Sequence, residues 1–164
     1  MELYLLRHGR PNSELVDPQK GLSPEGQWEI GSLGKLIKPL NIAVSEIWHS
    51  GKTRARQTAE IISSYLEVEG GIIEKNGLNP ADRIEPIVGQ ILAHKRDLMI
   101  VGHAPFLPNL SSLLLTGDPN RAALDFGTGT LARLAHVNGR WTLSWLIRPW
   151  PEYASDTSRV QSYH

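Results

Sequence analysis

Four apolar residues in a row, Leu3-Tyr4-Leu5-Leu6, open the chain. An unbroken apolar run this short reads as a strand buried on both faces. It stops at Arg7-His8-Gly9. Residues 10–21 have no period and carry Pro11 and Pro18, so they form a surface loop. Ser23-Pro24-Glu25 starts a helix. Ser23 caps it, Pro24 fits the first helical position and Glu25 suits the positive end. Ile30, Leu33, Leu36, Ile37 and Leu40 supply its apolar stripe, and Pro39 marks its end. A short strand follows at 46–49. Ala55, Thr58, Ala59, Ile62, Tyr65 and Leu66 then fall on one helical face, which Gly70-Gly71 stops. Arg54 lies in the first turn of that helix.

Ile72-Ile73 reads as a short edge strand. Pro86 opens another helix, with Ile87, Ile91 and Leu92 expected to be buried. A third buried strand spans 97–101 and runs into Gly102-His103. Leu107, Leu110, Ser111 and Leu114 define one more helix, closed by Gly117. From Leu131 the period changes to two. Asn138-Gly139 accepts the positive φ angles of a tight hairpin turn, and Trp141, Leu143, Trp145 and Ile147 alternate on one face as hairpin core. From Pro149 the chain is polar, and about 150–164 is expected as a flexible tail.

Strands alternating with helices predict an α/β protein with a largely parallel sheet and right-handed crossovers. The 164 residues suit one domain, 1–164, and the 40% hydrophobic and 21% charged content is that of a globular chain. Lys+Arg and Asp+Glu are both 17, so bulk charge offers no case for nucleic acid or an anionic membrane. With no cysteine, thiol nucleophiles and cysteine-ligated metals are excluded. No signal peptide and no apolar run of about 18 residues is visible. These features lead us to expect a cytoplasmic protein with no membrane association. Oligomeric state is not encoded in any feature of the sequence.

Parallel strands share a carboxyl edge, which is where open α/β sheets bind ligands. Arg7 and His8 follow the first strand, Arg54 opens the helix after the second, and His103 follows the third. Each alone has a bland reading, such as a strand-end histidine or a solvated arginine. Together, two arginines and two histidines suit a phosphoryl group, whose oxygens guanidinium forks bind in bidentate fashion. A neutral imidazole can attack phosphorus, and the phosphoramidate product is labile to water. No metal or other cofactor is demanded, because the arginines supply the charge. Gly51-Lys52-Thr53 does not make a phosphate loop, since Glu46 stands where that loop needs its first glycine.

Leu6-Arg7-His8-Gly9, Leu22-Ser23-x-x-Gly26, Ser50-x-x-x-Arg54-Ala55-x-Gln57-Thr58-Ala59 and Val101-Gly102-His103 together resemble the ordered motifs of the histidine phosphatase superfamily. The small size, Leu78-Asn79-Pro80 and Gly102-His103-Ala104-Pro105 resemble its SixA-type phosphohistidine phosphatase branch. The resemblance implies a three-layer α/β/α fold with a mixed sheet, as in phosphoglycerate mutases, the late hairpin supplying the antiparallel part. It implies a metal-independent phosphatase in which His8 becomes phosphorylated and Arg7, Arg54 and His103 form the phosphate pocket, with Gly9 and Lys20 beside the substrate.

The chain also departs from the family pattern. Many relatives carry a carboxylate acid where Pro80 stands here, which leaves Asp82 or Glu85 as substitutes. An alkoxide leaving group needs a proton, whereas an imidazole leaves more easily. The departure therefore favours phosphohistidine in a protein over a phosphate ester. Lys20 replaces an arginine, keeping charge and losing the fork, and Ser50-Gly51 replaces Ser-Pro. The alternative readings are a phosphatase of small phosphomonoesters and a non-catalytic phosphate-binding module.

Overall fold

The computed structural model describes residues 1–148, and the tail expected over about 150–164 lies outside the described residues. In order the elements are β1 (Glu2–Arg7), α1 (Pro24–Ile37), β2 (Ala43–Val44), β3 (Glu46–His49), α2 (Thr53–Ser63), β4 (Glu67–Val68), β5 (Ile72–Glu74), α3 (Glu85–His94), β6 (Leu98–Gly102), α4 (Phe106–Thr116), β7 (Leu131–Val137) and β8 (Arg140–Ile147). Six strands form one sheet in the order β5-β3-β6-β1-β7-β8, while β2 and β4 pair separately. Strands β5, β3, β6 and β1 run parallel, and β7 and β8 add the antiparallel part. This is the mixed, largely parallel α/β/α arrangement expected.

Strand β1 sits between β6 and β7, and its pleat explains the four-residue apolar run. Leu3 and Leu5 face one side, packing with Leu98 and Ile100 of β6 against Ile87, Ile91, Phe106 and Leu110 of α3 and α4. Tyr4 and Leu6 face the other, with Met99 and Val101 against Ile30, Leu33, Ala55, Ala59 and Ile62 of α1 and α2. Both sheet faces are thus covered, as parallel strands require. Ser23 caps α1 by accepting the Gly26 N–H at 3.0 Å, and Gly117 closes α4 with φ 79. Among the described residues no helix is long and apolar enough to cross a membrane.

Four expectations need correcting. Helix α2 ends at Ser63 rather than at Gly70-Gly71. The Ser63 and Ser64 hydroxyls donate to the carbonyls of Glu60 and Ile61 at 2.8 and 2.7 Å, and the next residues leave to pair with β2. Tyr65, just past the helix, lies so close to α1 that a Cβ on Gly34 would come within 2.2 Å of its ring. The stripe of α1 is narrower than predicted: Ile30, Leu33 and Ile37 are buried, while Leu36 and Leu40 are exposed. Leu92 of α3 is exposed as well. In β8, a bulge opposite Arg133/Leu134 breaks the period of two. Trp141 therefore packs on the α3–α4 side and Trp145 and Ile147 on the α1–α2 side, so the four residues do not share a face.

Candidate active site

The register of the sheet brings the chemistry together. Arg7 pairs with Gly102 and His49 with Val101, so residues 8, 50 and 103 leave three adjacent strands at one edge. The ladder runs one step further, with the His8 N–H donating to Gly102 O at 3.0 Å. The rings of His8 and His103 lie 5.0 Å apart between centroids, inclined at 54°. Both residues are buried, with His103 only 1% exposed.

His8 is held in one tautomer. Its Nδ1 lies 2.7 Å from the carbonyl oxygen of Gly9, which can only accept. The proton is therefore on Nδ1, and the lone pair on Nε2 accepts from Arg54 Nε at 3.3 Å. Burial, and then the charges of Arg54, Arg7 and Lys20, push His8 down to about 4, against a raising contribution from its bond to Gly9. His103 is pushed down to about 3, by burial first and then by His8, Arg54, Lys52 and Arg7. Both imidazoles are neutral at pH 7. Arg7 and Arg54 have lowered pKa values, chiefly from burial, and Arg7 adds repulsion on Arg54. The pocket concentrates positive charge and neutral imidazole, an environment that favours an anion.

The backbone around these groups is fastened by residues whose motif role was not evident beforehand. Thr58, fully buried, accepts the Gly9 N–H at 3.0 Å and donates to Arg54 O at 2.8 Å, tying the end of β1 to the first turn of α2. Gln57 accepts the Leu22 N–H at 2.6 Å and so anchors the far end of the 10–21 loop. Gly9 and Gly26 permit close approach. A Cβ on Gly9 would come within 2.9 Å of Gly26 O, and one on Gly26 within 2.1 Å of Arg10 O. Arg7 donates from Nη1 to Phe126 O at 2.6 Å, and its backbone is bracketed by Gly129 and Thr130. Its Nε is buried without a partner. Ser50 Oγ lies 2.6 Å from His103 Nε2. Backbone carbonyls such as that of Phe126 leave no trace in a side-chain pattern. Ser50 was legible in principle, because the 46–49 and 97–101 strands put it beside His103.

The structure therefore brings Arg7, His8, Gly9, Arg54 and His103 together. Lys20, at φ 49, pairs loosely with Glu14 at 3.8 Å and is near enough to His8 to lower its proton affinity. Asp82 is occupied elsewhere. Its carboxylate accepts the Asn79 N–H at 2.9 Å, and its own N–H donates to Asn79 O at 3.1 Å, which closes a turn. Glu85 pairs with Arg83 at 3.5 Å. Among the described residues, no group of three His, Asp or Glu side chains is placed to hold a metal ion.

Comparison with known proteins agrees with this architecture. Residues 3–79, which contain three of the four motifs, match the model of the histidine phosphatase superfamily, branch 1. Over these residues the chain is similar to that superfamily. The fold is similar to that of the protein histidine phosphatase SixA complexed with tungstate. That match has a TM-score of 0.80 at 20% identity and covers 91% of this chain and 97% of that one. A protein of Agrobacterium tumefaciens assigned as the phosphohistidine phosphatase SixA matches at 0.74 and 25% identity, over 90% and 97% of the two chains. A mycobacterial glucosyl-3-phosphoglycerate phosphatase bound to VO3 matches at 0.68 and 17%, over 88% and 97%. No curated protein matches the sequence at a significant level.

Proposed function

We propose that this protein is a phosphatase that removes phosphoryl groups from phosphohistidine in a protein, through a phosphorylated His8. The observation that carries the reading is the arrangement of His8, with Nδ1 tied to Gly9 O and Nε2 directed to Arg54 in a pocket shared with Arg7 and His103. An incoming phosphoryl group offers Arg54 a charged acceptor and so releases the Nε2 lone pair. Nε2 attacks phosphorus while the N–P bond to the substrate imidazole breaks. Arg7 and Arg54 meet the charge on the equatorial oxygens.

Phospho-His8 retains its proton on Nδ1. When water then attacks phosphorus, Nε2 departs as a neutral imidazole and needs no proton from elsewhere. The same holds for a protonated phosphohistidine substrate, whereas an alkyl ester must be given one. The candidate acids Asp82 and Glu85 make contacts with Asn79 and Arg83. The second reading, a phosphatase of small esters, draws support from the similarity to the glucosyl-3-phosphoglycerate phosphatase.

The test is turnover, with EDTA present, of a phosphohistidine-bearing carrier protein and of p-nitrophenyl phosphate, with His8→Ala alongside. Loss of protein phosphohistidine that outpaces ester cleavage and vanishes in His8→Ala is the expected result. Faster ester cleavage moves the assignment to small esters. Absence of any turnover leaves a phosphate-binding module.

A further inference from the structure

The residue that decides how His103 meets a phosphoryl group is not in the pocket's first ring of contacts. Ser50 follows β3 and His103 follows β6, and these strands are paired in register, so the two side chains emerge next to each other. Ser50 Oγ and His103 Nε2 are 2.6 Å apart. The same oxygen accepts the N–H of Lys52, the residue that caps α2, at 3.3 Å. The other ring nitrogen of His103, Nδ1, is buried without a partner, on a ring 5.0 Å from that of His8.

A serine hydroxyl has one proton and two lone pairs. Lys52 N–H uses one lone pair. If His103 carried its proton on Nε2, that proton would take the second lone pair. The hydroxyl proton would then have no acceptor among the described residues. His103 would also keep a bare lone pair on its buried Nδ1, which would repel a phosphoryl oxygen brought to it. If the hydroxyl instead donates to Nε2, the proton of the neutral ring sits on Nδ1. The hydroxyl and Nε2 are then both satisfied, and the orphaned Nδ1 becomes a donor that an incoming anion can use. Burial beside Arg54, Arg7 and Lys52 keeps the ring from holding both protons.

We propose that Ser50 is a positioning residue that fixes His103 in the Nδ1–H tautomer, so that this nitrogen donates a hydrogen bond to the phosphoryl group during transfer. The proposal rests on the phosphatase reading for its effect on rate, but not for the tautomer itself. What His103 needs is the hydroxyl of residue 50, and the φ of 86 at Gly51 turns the chain so that Lys52 N–H reaches that hydroxyl.

The experiment uses the full 15N-labelled chain at pH 7, with and without saturating inorganic phosphate, and reads the His103 ring by long-range 1H–15N correlation. The ring is assigned by comparison with His103→Gln. Wild type should show a protonated Nδ1 and a bare Nε2. Ser50→Ala should lose that preference and lower kcat/KM by about tenfold to a hundredfold, the range for partners that orient a functional histidine. Ser50→Thr, which keeps the hydroxyl, should restore both. Thermal melts of each variant separate this effect from misfolding. A wild-type ring protonated on Nε2 overturns the proposal, as does Ser50→Ala with unchanged tautomer and unchanged kcat/KM. A protonated Nδ1 that depends on Ser50 in a protein with no turnover retains the assignment of Ser50 and rejects the phosphatase reading.

Discussion

At the scale of single residues, the site depends on keeping two imidazoles neutral and two guanidiniums close. His8 and His103 lie at about 4 and about 3, below the ordinary 6.5. The acid limb of kcat/KM, which reports groups of the free enzyme, should therefore fall well below pH 6 once the ionisation of the substrate is allowed for. A limb at the usual histidine pKa would contradict the environment described for His8. The same shifts act on stability. As pH falls below 6.5 the unfolded chain takes up protons that the folded chain refuses until about 4 and 3. The unfolded state then binds more protons, so stability is full above pH 6.5 and declines toward pH 3. Urea midpoints measured over that interval should fall in wild type and fall less in His103→Gln.

Arg54→Lys keeps the charge but loses the fork and should lower kcat/KM by about a hundredfold, as removal of one oriented donor does. Steady-state kinetics beside an unchanged circular dichroism spectrum would check it. Arg7, His8, Arg54 and His103 were all legible as candidates in the sequence, because each ends, follows or opens an element whose apolar pattern is plain. Asp82, the candidate acid, accepts the Asn79 N–H. A carboxylate three residues from an asparagine can equally close a turn, and spacing does not distinguish the two.

At the scale of elements, the motif residues that carry no chemistry prove to be fastenings. Gly26 lets α1 meet the backbone of Arg10 directly. Gly26→Ala must displace Arg10, and with it the Gly9 carbonyl that orients His8. It should lower both Tm and kcat/KM, although alanine is the better helix former. Differential scanning calorimetry and the phosphohistidine assay would show whether the losses occur together. Thr58→Val is nearly isosteric but leaves the buried Gly9 N–H unsatisfied, a cost of about 1–3 kcal/mol, measurable by chemical denaturation. Element order and type were readable because β1 and β6 are unbroken apolar runs and because serine, proline and glycine punctuate the helices. The end of α2 and the bulge of β8 were not. Ser63 and Ser64 end the helix by bonding to its own carbonyls, and the bulge depends on cross-strand pairing that no local period records.

At the scale of the whole molecule, a chain with equal numbers of acidic and basic residues keeps a strongly cationic pocket. An anion that settles between Arg7 and Arg54 relieves their repulsion and binds only the folded state. Inorganic phosphate at about a hundred times its Kd should thus stabilise the protein by about 2.7 kcal/mol. Arg54→Met should melt no lower than wild type without phosphate and gain much less from it, as dye-based thermal shifts would reveal. The position of β1 has a different consequence. The strand that leads into His8 is made well before its neighbours in the sheet, residues 98–102 and 131–137. A ribosome adding about 5–20 residues per second holds Leu3-Tyr4-Leu5-Leu6 without a partner for roughly five to twenty-five seconds. Through that interval the nascent chain bears its most adhesive segment and no active site. His8 meets Arg54 and His103 only when the sheet closes around that strand, so the assembly of the site and the end of exposure to aggregation are a single event.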